Sequence, residues 1–173
     1  MSMTMYTATV PVFRQILGAL ADVLEKAERH AQDNKIEPAA LLQARLFPDM
    51  FPLVRQVQIA ADFAKGTTAR LAGVEVPRYE DNEQSFSELQ QRITKTLGFV
   101  DAVLQAEVDA GAQRAITHGT GERARHFPNG EAYVTRFALP NFFFHVTTAY
   151  GLLRQQGVPL GKMDFLAGAQ QAG

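Results

Sequence analysis

A chain of 173 residues, 46% hydrophobic and 20% charged, has the length and composition of one globular domain. Seventeen basic against eighteen acidic residues give a formal net charge of −1, which removes any global attraction to nucleic acid or an anionic membrane. There is no cysteine, which excludes disulfides, thiolate metal sites and a cysteine nucleophile of the protein's own. The first residues lack the basic and apolar parts of a signal peptide, and no apolar run reaches the roughly 20 residues that span a bilayer, so the cytoplasm is the expected compartment.

The first helix is predicted to start at Thr7 or Thr9, either of which can cap free N–H groups, with Pro11 in its first turn. Phe13, Ile16, Leu17, Leu20, Leu24 and Ala27 form one apolar stripe, and the helix ends near His30, where an imidazole suits the helix dipole. Pro38 opens a short helix. Asp49 reads as the cap of a second long helix over residues 50–72, closed by Gly73. Its main stripe is Met50, Leu53, Val54, Val57, Ala61 and Ala64; Phe51, Ile59 and Phe63 fall on another face, read as a surface for self-association.

Residues 73–84 form a loop. Ser85 and Glu88 make a capping box for a third helix reaching residue 108, with the stripe Phe86, Leu89, Ile93, Leu97, Val100 and Leu104 and a stop at Gly111. Residues 112–117 and 122–127 are predicted strands around a Gly-rich turn. Residues 131–137 give a helical turn or two, and Pro140 restarts the chain into the final helix, 141–156, ended by Gly157, Pro159 and Gly161. Phe165 and Leu166 are expected to dock; 167–173 is expected to be a frayed tail outside a single domain over 1–166. The economical fold is an all-α four-helix bundle with long crossover connections and a small β-hairpin between helices three and four.

The stretches Arg45-Leu46-Phe47-Pro48-Asp49-Met50-Phe51-Pro52-Leu53, Pro140-Asn141-Phe142-Phe143-Phe144-His145, Ala149-Tyr150-Gly151-Leu152-Leu153-Arg154 and Gly157-Val158-Pro159-Leu160-Gly161-Lys162-Met163-Asp164-Phe165-Leu166 resemble a bacterial family of uncharacterised proteins, DUF1993. That family looks like a branch of the DinB and YfiT-like four-helix bundles. The wider group includes metalloenzymes and transferases that use low-molecular-weight thiols, and many of its members are homodimers. The resemblance implies a divalent metal held by one His from helix two and two from the last helix at i and i+4. Here the last helix offers His145, flanked at those positions by Asn141 and Ala149, and helix two has no His, so the three-His set is incomplete.

His145 is therefore the candidate catalytic or ligand-orienting residue. Asn141 is a candidate pocket partner and equally the cap after Pro140. Gln58 and Asp62, one turn apart on helix two, are candidates to meet His145 in a polar cluster between helices two and four, with Asp81 and Glu83 at the bundle mouth. Tyr150 lies about 140° from His145 around the helix and reads as a core residue with a hydroxyl seeking a partner. Arg92, Arg154 and Lys162 are candidate anion contacts. His118 and His126 sit in the hairpin with Arg123 and Arg125, without a wider basic face to suit nucleic acid. The expectation is a small-molecule-binding protein, either a thiol-dependent transferase or detoxification enzyme with a degenerate metal site or a non-catalytic dimeric module.

Overall fold

The computed structural model describes residues 3–166; the predicted tail from Ala167 lies outside the described residues. Four long helices form the body: α1 (Met5–Asp33), α3 (Leu53–Ala72), α4 (Phe86–Ala102) and α7 (Leu139–Gln155). Short helices α2 (Pro38–Leu42), α5 (Gln105–Asp109), α6 (Gly130–Tyr133) and α8 (Lys162–Leu166) fill the connections, with a two-stranded hairpin of β1 (Ile116–His118) and β2 (Arg125–Phe127). The architecture is the predicted all-α bundle with its hairpin. α4 and α7 each pack mainly against α1 and α3, so the link from α4 to α7 crosses the bundle.

Local chemistry moved several boundaries. α1 begins at Met5 because Thr4 and Thr7 cap each other, Thr7 Oγ1 accepting from Thr4 N at 2.8 Å and Thr4 Oγ1 from Thr7 N at 3.3 Å. Pro11 consequently lies inside the helix, on its exposed side. Asp49 does not cap α3. Residues 47–50 close a turn, Met50 N donating to Phe47 O at 2.9 Å, and the helix starts after Pro52. Gly73 ends it at φ 74°, as predicted. α4 stops six residues short of its predicted end. Val103 is extended, and α5 swings round to bring Asp109 Oδ1 to Tyr6 N at 2.7 Å, satisfying a free donor in the first turn of α1. Leu104, predicted on the core stripe, is exposed as a result.

The chain does not restart at Pro140. α6 runs through a π-helical turn at Val134–Ala138 straight into α7. Pro140 has no N–H to give the preceding turn, and the wider turn absorbs the missing donor. Asn141 is thus inside the helix rather than at a cap, and its Nδ2 donates to Phe137 O at 2.7 Å.

Apolar burial joins these elements. Phe13 of α1 meets Phe142 of α7 edge-on with ring centroids 4.9 Å apart, both fully buried. α1 is long and apolar enough by length and composition to cross a membrane, yet Val10, Phe13, Leu17, Leu20 and Leu24 of that helix are core residues. α8 docks on α1 through Lys26 and Asp164 at 2.5 Å, and Phe165 packs on Tyr150. Gly111 and Gly130 lie where backbones touch: a Cβ on Gly111 would collide with Leu71 O, and one on Gly130 with Gly111 O. Gly130→Ala should therefore lower the urea midpoint by an equivalent of about 1–3 kcal/mol. Gly98→Ala, in open space on α4, should be neutral or stabilising by up to about 1 kcal/mol.

Candidate functional site

α3 organises the site because it is buried on nearly every side. Even Gln56, Gln58, Lys65, Thr67 and Thr68 are buried. Each such polar group needs a partner, and these partners define three neighbourhoods.

The first is around His145. Its Nδ1 lies 2.7 Å from Gln56 Oε1, while Gln56 Nε2 donates to Phe51 O at 3.0 Å. Since Oε1 only accepts, Nδ1 carries the proton and Nε2 holds the lone pair. The imidazole is 9% exposed and stacks on Phe63 with centroids 6.2 Å apart. Burial, and secondarily Arg55, push its pKa down to about 4, so it is neutral at pH 7. The expected cluster of His145 with Gln58 and Asp62 does not form. The residue that meets His145 is Gln56, 200° round the helix from Gln58 (two steps of about 100°). Its signal was legible: Leu53, Ala60 and Ala64 stand three, four and eight residues from it, which puts Gln56 on the buried stripe.

The second neighbourhood holds Gln58 and Asp62. Gln58 Nε2 donates to Glu83 Oε2 at 2.7 Å, and Asp62 Oδ1 pairs with Arg92 and with Lys65, both at 2.9 Å. Arg92, 3% exposed, also reaches Asp81 at 3.0 Å, Glu83 at 2.8 Å and Glu80 O at 3.2 Å. Burial works against its charge, and Glu83, Asp62 and Asp81 more than compensate, holding the guanidinium above its ordinary range. Arg92 is an internal clamp rather than a free anion contact. With Arg55, which pairs with Asp81, it fastens the irregular connection 74–85 to α3 and α4. Tyr79 of that connection lies under three cations: Lys65 Nζ at 3.7 Å, Lys95 Nζ at 4.3 Å and Arg92 Cζ at 5.3 Å from its ring centroid.

The third neighbourhood is a cleft of about 720 Å³ between α3, residues 75–79 and the hairpin. Ile59, Asp62, Phe63, Lys65 and Arg70 line it from α3, Val76 to Tyr79 from the connection, and His118 and Thr120 from the hairpin. His118 stacks on Phe63 at 5.5 Å with rings nearly parallel, and meets Phe137 edge-on at 4.9 Å. Burial, then Arg70 and Arg125, push its pKa down to about 4. The buried Tyr133 hydroxyl joins it to α3. That oxygen accepts from Arg70 Nη1 at 3.5 Å, leaving its proton for His118 Nδ1 or Thr67 Oγ1, both at 3.4 Å. Phe63, on the face expected to serve self-association, is buried within the chain against His118 and Phe137. The hairpin turns His118 inward, while Arg123, Arg125 and His126 stay exposed.

Tyr150 sits apart, against Phe165 at 6.2 Å and beside Ile16, Leu20 and Val23; its hydroxyl has no protein partner among the described residues. The three-His metal set does not fit this geometry. His145 Nδ1 is committed to Gln56, Asn141 is turned back onto Phe137 O, and Ala149 offers no donor. Among the described residues no group of three or more His, Cys, Asp or Glu is placed to hold a metal ion.

The sequence profile of a domain of unknown function (DUF1993) matches residues 5–166. The chain belongs to the DUF1993 family. A solved structure of a DinB family member protein from Shewanella denitrificans is similar to this DUF1993 protein at 38% identity and a TM-score of 0.84. The similarity covers 93% of this chain and 90% of that one. DUF1993 and the DinB-like bundles thus share one architecture here, as the four sequence motifs implied. No curated protein matches the DUF1993 chain.

Proposed function

We propose that this DUF1993 protein binds a small molecule in the cleft between α3, the 74–85 connection and the hairpin. The observation that carries this reading is the cleft itself, about 720 Å³ walled by Ile59, Phe63, Tyr79 and His118 with cations around it. Cavities of ~300–1,000 Å³ with apolar walls and a few placed polar groups are the usual form of ligand sites. The binding residues are Phe63, Lys65, Arg70, Tyr79 and His118, and Asp62 of the sequence-predicted set keeps a place among them. His145 acts at one remove, as the second imidazole stacked on Phe63. The thiol-dependent transfer that the family resemblance implies belongs to the same cleft, with His118, neutral at pH 7, as a hydrogen-bonding group that orients the ligand.

A thermal-shift screen of small metabolites, with glutathione and bacillithiol among them, is expected to yield at least one ligand whose stabilisation disappears in His118→Ala. A ligand at 100 times its Kd adds about 2.7 kcal/mol to native stability. A broad panel without any shift at millimolar concentration would sink the reading.

The non-catalytic dimeric alternative is favoured by one observation. Leu46, Phe47, Phe51 and Phe144 are large apolar residues left 41%, 64%, 53% and 55% exposed. We propose a homodimer through Phe47 and Phe51. Light scattering should give twice the chain mass for the wild type and the single-chain mass for Phe47→Ser/Phe51→Ser; a monomeric wild type at high concentration refutes it.

A further inference from the structure

We infer that the cleft takes an amphipathic anion: a carboxylate or phosphate headgroup gripped by Arg70 and Arg78, carried on an apolar body that lies against Ile59, Phe63, Val76 and Pro77. This rests on the small-molecule reading above and names the ligand's class.

The charges lining the cleft are Arg55, Lys65, Arg70 and Arg78 against Asp62 and Glu75, a surplus of two positive charges (four minus two). Two of the cations are already neutralised within the chain, Arg55 by Asp81 and Lys65 by Asp62, which leaves Arg70 and Arg78 against Glu75, a free surplus of one positive charge (two minus one). Arg70 and Arg78 have no carboxylate within ion-pair distance among the described residues. A guanidinium presents a planar fork of donors, the shape that matches carboxylate and phosphate oxygens.

Arg70 lies along α3 beside the cleft. Its guanidinium folds back along α3 over Gly66, where any side chain would collide with Nη1, and that nitrogen donates to Tyr133 OH at 3.5 Å. Gly66 thus leaves room for a cation beside the cleft wall at some cost in helix propensity. The other lining is apolar: Ile59, Phe63, Val76 and Pro77. A fully polar anion would leave these faces uncovered, and a neutral apolar molecule would leave uncompensated the positive charge by which Arg70 and Arg78 exceed Glu75.

The test is titration of the intact chain, followed by amide chemical shifts and calorimetry, with benzoate, phenyl phosphate, inorganic phosphate, benzamide and benzylamine as probes. Benzoate and phenyl phosphate should bind and shift amides in residues 59–79 and 116–120. Arg70→Met and Arg78→Met should each weaken them about tenfold, the scale of one lost charge-assisted hydrogen bond. Gly66→Ala should weaken them in the same direction by displacing Arg70. Arg29→Met, on the outer face of α1 and paired with Glu25, should leave the affinity unchanged. Arg78 is exposed, so Arg78→Met keeps the test valid should Arg70→Met disturb folding. Benzamide or benzylamine binding as well as benzoate, with no loss in the arginine variants, overturns the anion while leaving small-molecule binding intact. Inorganic phosphate binding as tightly as phenyl phosphate overturns the apolar body. No probe binding at all overturns the ligand reading itself.

Discussion

Arg92→Met should lower the stability of the chain by about 3 kcal/mol and release residues 74–85 from the bundle. Arg92 is the most heavily partnered side chain in the structure, touching Asp62, Asp81, Glu83 and the carbonyl of Glu80 while its own side chain is 1% exposed. Removing one partner of a buried pair costs about 3–5 kcal/mol, because the charges left behind lose their compensation. The lower end applies here. Asp62 keeps Lys65 and Asp81 keeps Arg55, so Glu83, 10% exposed, is the carboxylate most fully stranded. Arg92→Lys should restore little, since one ammonium cannot fork between three carboxylates. Urea denaturation measures the loss, and limited proteolysis should find new cleavage within 74–85 ahead of the rest. An unchanged cleavage pattern at reduced stability would mean the connection is held by something other than Arg92.

Acidification should destabilise the protein well before its carboxylates protonate. His118 and His145 both have native pKa values pushed down to about 4 from an ordinary 6.5. A depressed imidazole means that the unfolded chain binds a proton the native state refuses. Stability is therefore complete above pH 6.5 and falls as the pH drops through the window from 6.5 to 4. Two partly buried imidazoles displaced by that much cost at most about 2 kcal/mol each at pH 5 relative to pH 7.5. Below pH 4, Asp109 and Asp164 add their own losses, because the partners of each hold its carboxyl below its ordinary value. The urea midpoint should thus slope downward between pH 7 and 5, and His145→Gln should flatten that slope by about half, whatever it does to the midpoint at pH 7. A wild-type midpoint flat across that interval would falsify the neutral pair.

Most of the helical plan was legible because it depends on local pattern. Apolar stripes, Gly73 and the Ser85–Glu88 cap are written in residues three or four apart. The errors arose where a distant partner decided. α4 ends at Ala102 because Asp109 is needed at Tyr6, more than a hundred positions away. α7 continues through Pro140 because a π turn can absorb a missing donor, a possibility that periodicity does not express. The site followed the same division. The second apolar face of α3 was visible in Ile59 and Phe63, but what covers it was not. The hairpin brings His118 onto that face, where it stacks on Phe63 and lines one cleft with it. Gln58 and Asp62 were rightly singled out as paired polar groups on α3, and their partners came from the 74–85 loop instead of from His145.

The two sides of the cleft are held by different forces. α3 is fixed by apolar packing, which salt does not weaken. The 74–85 wall is fixed by charge, and the outer fastening, Arg55 to Asp81, is about a third exposed on each side. Raising ionic strength toward 1 M shortens the electrostatic reach to about 3 Å, which screens that outer pair while leaving the buried contacts of Arg92 largely intact. Ionic strength is thus a dial on one wall only. Concentrated salt should therefore loosen the outer fastening of that wall without melting the bundle, while Arg92 goes on holding Asp81 and Glu83 in place.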